Sequence, residues 1–124
     1  LERLATAVAV AHRARAEVEI FRGPPALINA PGPTALARTA AERTVGAGQV
    51  GEMEKANLGG EDFAEYLERA DGCFIRVGAA RAGRVNAPQH SSRFDFDEAA
   101  LEIGARYLRH VAHVAGADLV RRSA

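Results

Sequence analysis

The run Cys73-Phe74-Ile75-Arg76-Val77-Gly78 decides how this sequence is read. It is short, mostly apolar and bounded by Gly72 and Gly78, the pattern of a buried strand. Before it, Phe63, Tyr66 and Leu67 share one face of a helix predicted from about Glu61 to Ala70. Glu61 and Asp62 favour the positive N-terminal end of that helix, and Asp71-Gly72 stops it. After it, Gly78 to Ser92 has no periodicity and reads as a loop. Asp95-Phe96-Asp97-Glu98 then predicts a helix start, with Asp95 as cap and Glu98 reaching back to the orphan amide. Leu101, Ala105, Leu108, Ala112 and Ala115 predict the apolar stripe of the final helix.

The same alternation continues upstream. Leu1, Leu4, Ala5 and Val8 fall on one face of an amphipathic helix. From Ala16 to Arg22 the period drops to two, with Val18 and Ile20 opposite Glu17 and Glu19, as in a half-buried strand. Gly23-Pro24-Pro25 ends it by removing two amide donors. A helix is predicted from Thr34 to Val45, capped by Thr34, lined by Leu36, Ala37 and Ala40, and closed by Gly46. Val50 to Met53 suits a short strand. Helix and strand alternate throughout, so the expected class is α/β. Two or three short strands would not close a good core alone.

The chain has 124 residues, with 16 basic and 16 acidic side chains and zero formal net charge. That balance leaves no electrostatic footprint for nucleic acid or an anionic membrane. No apolar run approaches the ~20 residues of a membrane span, so the expected location is cytoplasmic. The single cysteine, Cys73, excludes an internal disulfide framework and a cysteine-rich zinc module, and reads as an inert residue of a strand core.

Four features could carry chemistry. Gly78-Ala79-Ala80-Arg81-Ala82-Gly83-Arg84-Val85 spaces two glycines as a phosphate loop does. Arg84 and Val85 stand where such a loop needs Lys and Ser or Thr, so a nucleotide-binding reading rests on this loop alone. His110 and His113 lie three apart without the intervening Glu and four-residue spacing of a zinc-protease helix, and read as solvated surface near a helix end. His12 reads as structural. His90 lies in the aperiodic loop that follows a predicted strand, where α/β proteins place their sites, and a neutral imidazole there is a candidate metal ligand.

Two blocks extend this reading. Leu58-Gly59-Gly60-Glu61-Asp62-Phe63 resembles a Met-Gly-Ser-Glu-Asp-Phe block, and Gln89-His90-Ser91-Ser92-Arg93-Phe94-Asp95-Phe96-Asp97-Glu98 resembles a Leu-His-Ser-Pro-Arg-Phe-Asp-Phe-Asp-Glu block. Both belong to the aminoacylase and carboxypeptidase group of two-metal amidohydrolases, in the branch of hippurate hydrolase and the indole-acetyl-amino-acid hydrolases. Ala11-His12-Arg13-Ala14 and Pro25-Ala26-Leu27-Ile28-Asn29 are similar to further stretches of that family. The resemblance runs from near Leu1 to about Leu108. The chain departs from the family at Gly60, Gln89, Ser92 and Arg13, none of which replaces the histidine of the block.

The resemblance implies an architecture. Residues 1–22 would end an α+β lid domain that often dimerises, and residues 23–124 would be the C-terminal part of a three-layer αβα catalytic domain. The opening inside a helix then suggests a fragment. It also implies a chemistry, in which two divalent ions (zinc, manganese or similar) would bridge a water or hydroxide and a Glu would act as general base for its attack on the amide carbonyl of an N-acyl amino acid or a related small-molecule amide. His90 matches the family's last metal ligand. Gly59 and Gly60 match the loop near the substrate's carboxylate end, and Glu61 and Asp62 would start the helix and shape the site. The general base and the other ligands are expected outside this chain, leaving an incomplete metal site and an inactive isolated chain. The competing expectation is a non-catalytic remnant that binds or dimerises, with Ala16–Arg22 pairing edge to edge.

Overall fold

A computed structural model describes residues 1–124. It contains four α-helices, α1 (Glu2–Ala11), α2 (Pro31–Val45), α3 (Phe63–Leu67) and α4 (Ala99–Ser123), with a 3-10 turn at Ala47–Gln49. There are no β-strands. The α/β expectation, and with it the three-layer αβα catalytic arrangement and the α+β lid, is therefore corrected: the ordered elements of this chain are all helical. The physical reason is pairing. A strand is defined by a ladder to a neighbour, and neither residues 16–22 nor residues 73–78 find one here.

The 73–78 segment is nevertheless tied at its start. Ala30 N–H donates to Gly72 O at 3.0 Å. Phe74 N–H donates to Asn29 Oδ1 at 2.8 Å, and Asn29 Nδ2 donates to Phe74 O at 2.9 Å. One side-chain amide thus takes the two bonds that a neighbouring strand would have made.

The core is the α2–α4 contact. Pro31 and Pro33 occupy the first turn of α2, where a missing amide hydrogen costs nothing. Gly46 closes the helix at φ +87°, its amide donating to Glu42 O at 2.9 Å. Ala40 is fully buried against Tyr107 and Val114 of α4, with Leu36, Ala41 and Val111 packed around them. Tyr107, Val111 and Val114 follow the four- and three-residue steps of one helical face, and the small Ala40 lets that face approach closely. Only 6 of 124 residues are buried, so the chain closes little core by itself.

Several local expectations shift. Helix α2 begins at Pro31 rather than Thr34, and the Thr34 hydroxyl donates to Ala30 O at 2.7 Å instead of capping the helix. The buried face of α4 is set by Tyr107 and Val114, while Leu101 and Leu108 are 64% and 67% exposed. The helix has two apolar faces, and α2 covers the one that lies opposite Ala40. The expected capping box of Asp95 and Glu98 does not form: Glu98 stands at the N-cap without a side-chain cap bond, Asp97 Oδ1 accepts from Ala99 N–H at 3.0 Å, and Asp95 Oδ1 accepts from Phe96 N–H at 2.9 Å. Helix α3 shrinks to Phe63–Leu67, although Glu61 Oε1 accepts from Phe63 N–H at 3.2 Å and so serves its start as expected. Helix α1 exposes its whole apolar face, including Leu4 and Val8, and makes no contact with the other elements.

Candidate functional site

His90 sits in a tight turn, exposed to solvent, with φ at +66°. Apart from Arg13 it is the only non-glycine residue with positive φ. Such backbone is uncommon outside glycine and costs of order 1 kcal/mol, so it persists only where the surroundings impose it.

The surroundings are visible in the hydrogen bonds. Ser91 N–H donates to Pro88 O at 3.2 Å, Phe94 N–H to Ser91 O at 3.0 Å, and Arg93 N–H to Ser91 Oγ at 3.1 Å. The two ends of the loop are joined. Asp97 N–H donates to Ala79 O at 2.9 Å, Arg81 Nε donates to Phe96 O at 3.1 Å, and the Arg81 guanidinium pairs with Asp95 at 2.6 Å. Asn86 closes the remaining arc: its Oδ1 accepts from Arg81 N–H at 2.8 Å, and its Nδ2 donates to the carbonyls of Arg81 and Arg84, both at 3.1 Å. The imidazole is thereby presented on a braced loop between residues 79 and 97.

The same bonds answer the phosphate-loop reading. The Arg81 amide is already taken by Asn86, and no helix follows Gly83 to aim further amides at an anion.

Gly59 and Gly60 lie in a separate exposed loop. Asn57 folds back so that its Oδ1 accepts from Gly59 N–H at 3.0 Å. A Cβ on Gly60 would stand 3.1 Å from Pro24 Cγ, so the absence of a side chain lets this loop lie against the Pro24 ring. No hydrogen bond links the Gly59–Gly60 loop to His90.

As metal donors, the residues present are insufficient. No three His, Cys, Asp or Glu side chains gather where they could share an ion. A catalytic centre takes about three protein ligands, and His90 would be one of them.

Sequence reasoning misplaced His110. It lies in the middle of α4, because the helix continues to Ser123, and it is half-covered rather than solvated. Its Nδ1 is 2.9 Å from Thr44 Oγ1, and that hydroxyl donates to Ala40 O at 2.7 Å. One hydroxyl has one hydrogen, so Thr44 accepts from His110 and the Nδ1 position carries the imidazole proton. Arg106 Nη2 completes the seam by donating to Thr44 O at 3.1 Å. Desolvation, then the charges of Arg109, Arg106, Arg43 and His113, push the His110 pKa below its usual 6.5. No local pattern in the sequence marks this contact between Thr44 near the end of α2 and His110, 66 residues on in α4, which only the packing reveals.

Cys73 is half-buried and lines an open apolar cleft of about 360 Å³ with Phe63, Phe74, Tyr107 and Val111. Burial, followed by the neighbouring Cys73, raises the Tyr107 pKa above its usual 10.0. No helix is long and apolar enough to cross a membrane.

Comparison with known proteins follows the same line. The profile of peptidase family M20/M25/M40 matches residues 3–114. A Synechocystis protein named as a hydrolase is 34% identical over 113 residues, covering 90% of this chain and 29% of that protein. A Bacillus subtilis protein named as an amidohydrolase is 34% identical over 114 residues, covering 90% of this chain and 28% of that protein. A Rhodococcus jostii protein named as a glutamate–cysteine ligase is 36% identical over 97 residues, or 78% of this chain and 12% of that protein. The chain thus spans less than a third of each of these relatives. No solved structure matches it.

Proposed function

The chain belongs to peptidase family M20/M25/M40, and on that premise we propose that it contributes the His90 ligand of a metal-dependent amidohydrolase. The substrates proposed are N-acyl amino acids or related small amides. The observation that carries the reading is the backbone of His90, an imidazole held at φ +66° by a braced loop inside the block Gln89–Glu98. Gly59 and Gly60 are proposed to border the substrate, in a loop where a Cβ on Gly60 would stand 3.1 Å from Pro24 Cγ.

The residues of this chain do not complete a metal centre, because one exposed imidazole has no partner ligands around it. Zinc or manganese would need donors, and hydrolysis a general base, from elsewhere in a longer protein. The isolated 124 residues are therefore expected to be inactive.

The test is an assay against N-acyl amino acids with added Zn²⁺ or Mn²⁺. The 124-residue chain should give no turnover. A protein carrying this chain within the full family length should give turnover that disappears on chelation and in His90→Ala. Turnover that survives either treatment removes the ligand assignment.

One observation favours a second reading, association through residues 1–22. Residues 16–22 are unpaired, Ile20 and Phe21 are 59% and 81% exposed, and α1 offers an uncovered apolar face. Sedimentation equilibrium of the chain and of a chain lacking residues 1–22 tests it: a dimer that persists without them sinks this route.

A further inference from the structure

Helix α4 carries Arg106, Arg109, His110 and His113 at steps of three and four residues, so they are neighbours on one face. Arg43, in the last turn of α2, joins them beside Thr44, whose Oγ1 lies 2.9 Å from His110 Nδ1. Like charges at such steps destabilise a helix by about 0.2–0.5 kcal/mol per pair. Little on the protein offsets this. Glu102 is the one carboxylate in ion-pair range of the group, 4.0 Å from Arg106 Nη1, and both side chains are exposed. Arg106 is otherwise held by its bond to Thr44 O. The guanidiniums of Arg43 and Arg109 and the ring of His113 make no hydrogen bond or ion pair with the protein. Desolvation and then the charges of Arg109, Arg106, Arg43 and His113 act on His110, and no carboxylate counters them.

We propose that the α2–α4 seam binds a doubly charged phosphoryl group, free or as a small monoester, with Arg43 and Arg109 as its donors and His110 as an acid-gated third. A guanidinium offers a fork of N–H donors that matches two oxygens of such a group, and charge-assisted bonds of this kind are about twice as strong as neutral ones. The gate follows from the proton count. Thr44 Oγ1 donates to Ala40 O, so the His110 Nδ1–H is committed to Thr44 and the neutral ring carries a lone pair on Nε2, which repels an anion. Protonation turns Nε2 into a charged donor, so proton and anion each favour the binding of the other. The size of the ligand follows from the charge balance. The whole chain is neutral, so a long polyanion meets no extended basic surface, whereas one small dianion suits a local excess. A bound dianion would tie the last turn of α2 to α4 and protect that contact from acid. None of these residues belongs to the loop of His90, so the inference stands apart from the amidohydrolase reading.

The experiment is a titration of the 124-residue chain at low salt in a phosphate-free buffer, read from the arginine Nε–H and histidine ring resonances. Sulfate is the probe for the pH comparison because its charge does not change across the range, and chloride at equal ionic strength is the control. Arg43 and Arg109 should shift saturably with sulfate and remain still with chloride. Sulfate should bind on the order of fivefold more tightly at about pH 5.5 than at about pH 8. The native chain alone decides these two points: equal shifts with chloride, or the same affinity at both pH values, overturns the site. Arg43→Gln and Arg109→Gln, which keep helix propensity nearly constant, should each weaken binding about fivefold, the loss of about one charge-assisted contact. Arg3→Gln, on the isolated helix α1, should leave it unchanged. His110→Gln should abolish the pH difference and keep the affinity of the alkaline side, whereas His113→Gln should preserve the difference. Full binding in Arg109→Gln, or a pH difference that survives in His110→Gln, overturns the proposal. Inorganic phosphate and methyl phosphate, added at about pH 8, identify the source: tighter binding of the ester supports a monoester, the reverse supports the free ion, and binding of neither overturns the assignment to a phosphoryl group.

Discussion

Asn29 and Phe74 exchange two hydrogen bonds across 45 residues of sequence, at 2.8 and 2.9 Å, and so join the segment before α2 to the segment after α3. Asn29 acts as a one-residue stand-in for a strand. Because both groups are exposed, the pair is worth the lower part of the usual range for a hydrogen bond. Asn29→Ala is expected to lower unfolding free energy by about 1 kcal/mol, read from urea denaturation. Asn29→Asp should do no better, since it keeps the acceptor for Phe74 N–H but sets a second carboxylate oxygen against Phe74 O. An unchanged midpoint in Asn29→Ala would show that the two segments are held by something else.

The same relationship explains which parts of the fold were legible. Helix signals are local: Gly46 closing α2 and the acidic start of α3 could be read from neighbours in the chain, although α2 begins at Pro31, three residues before the expected Thr34. A strand is not local, because its ladder partner lies far away or on another segment, and Cys73–Gly78 has strand composition without a ladder. The face of α4 failed for a related reason. Leu101 and Leu108 carry the stronger hydrophobic signal, yet Tyr107 and Val114 are the residues that meet Ala40. At the site, His90 was legible as a motif, while its positive φ and the bracing by Arg81 and Asn86 depend on contacts that no spacing rule contains.

Ala40 sets the separation of α2 and α4, for it is completely buried between Tyr107 and Val114. Ala40→Leu would force extra methylenes into a contact with no room to receive them. The expected loss is about 1–3 kcal/mol, seen in urea denaturation and as a fall in helical circular dichroism signal near the transition. Ala40→Ser keeps the volume nearly constant but buries a hydroxyl, and should cost less than the leucine. Equal stability in all three chains would mean that the two helices do not pack through this residue.

His110 makes the α2–α4 seam sensitive to acid. Its pKa is lowered in the folded chain, first by desolvation and then by Arg109, Arg106, Arg43 and His113, while the unfolded value is the usual 6.5. Between those two values the unfolded chain binds more protons than the folded one, so stability rises with pH. The contribution is fully present above about 6.5 and is lost as pH falls through the folded value. Thermal melts between pH 7.5 and 5 should therefore show Tm falling on the acid side. His110→Gln should flatten that part of the profile, and Thr44→Val should lower Tm at neutral pH by leaving Nδ1–H without its acceptor. A Tm that rises on acidification in the native chain, and does so only with His110 present, would reverse the sign of the coupling.

His90 is exposed and touches no core residue, so its two roles, ligand and turn residue, can be pulled apart by substitution. Alanine and glycine both remove the imidazole. Only glycine accepts φ +66° without a steric penalty, since the left-handed region costs a residue with a Cβ about 1–2 kcal/mol. Glycine also gives the unfolded chain extra freedom, which offsets part of that gain. His90→Gly is accordingly expected to be more stable than His90→Ala by about 1 kcal/mol in urea denaturation. Metal-dependent turnover in a full-length family protein should be lost equally in both. A glycine variant no more stable than alanine would mean that the turn is not held in the left-handed region. A glycine variant that keeps turnover would mean that the imidazole is not a ligand, however its backbone is held.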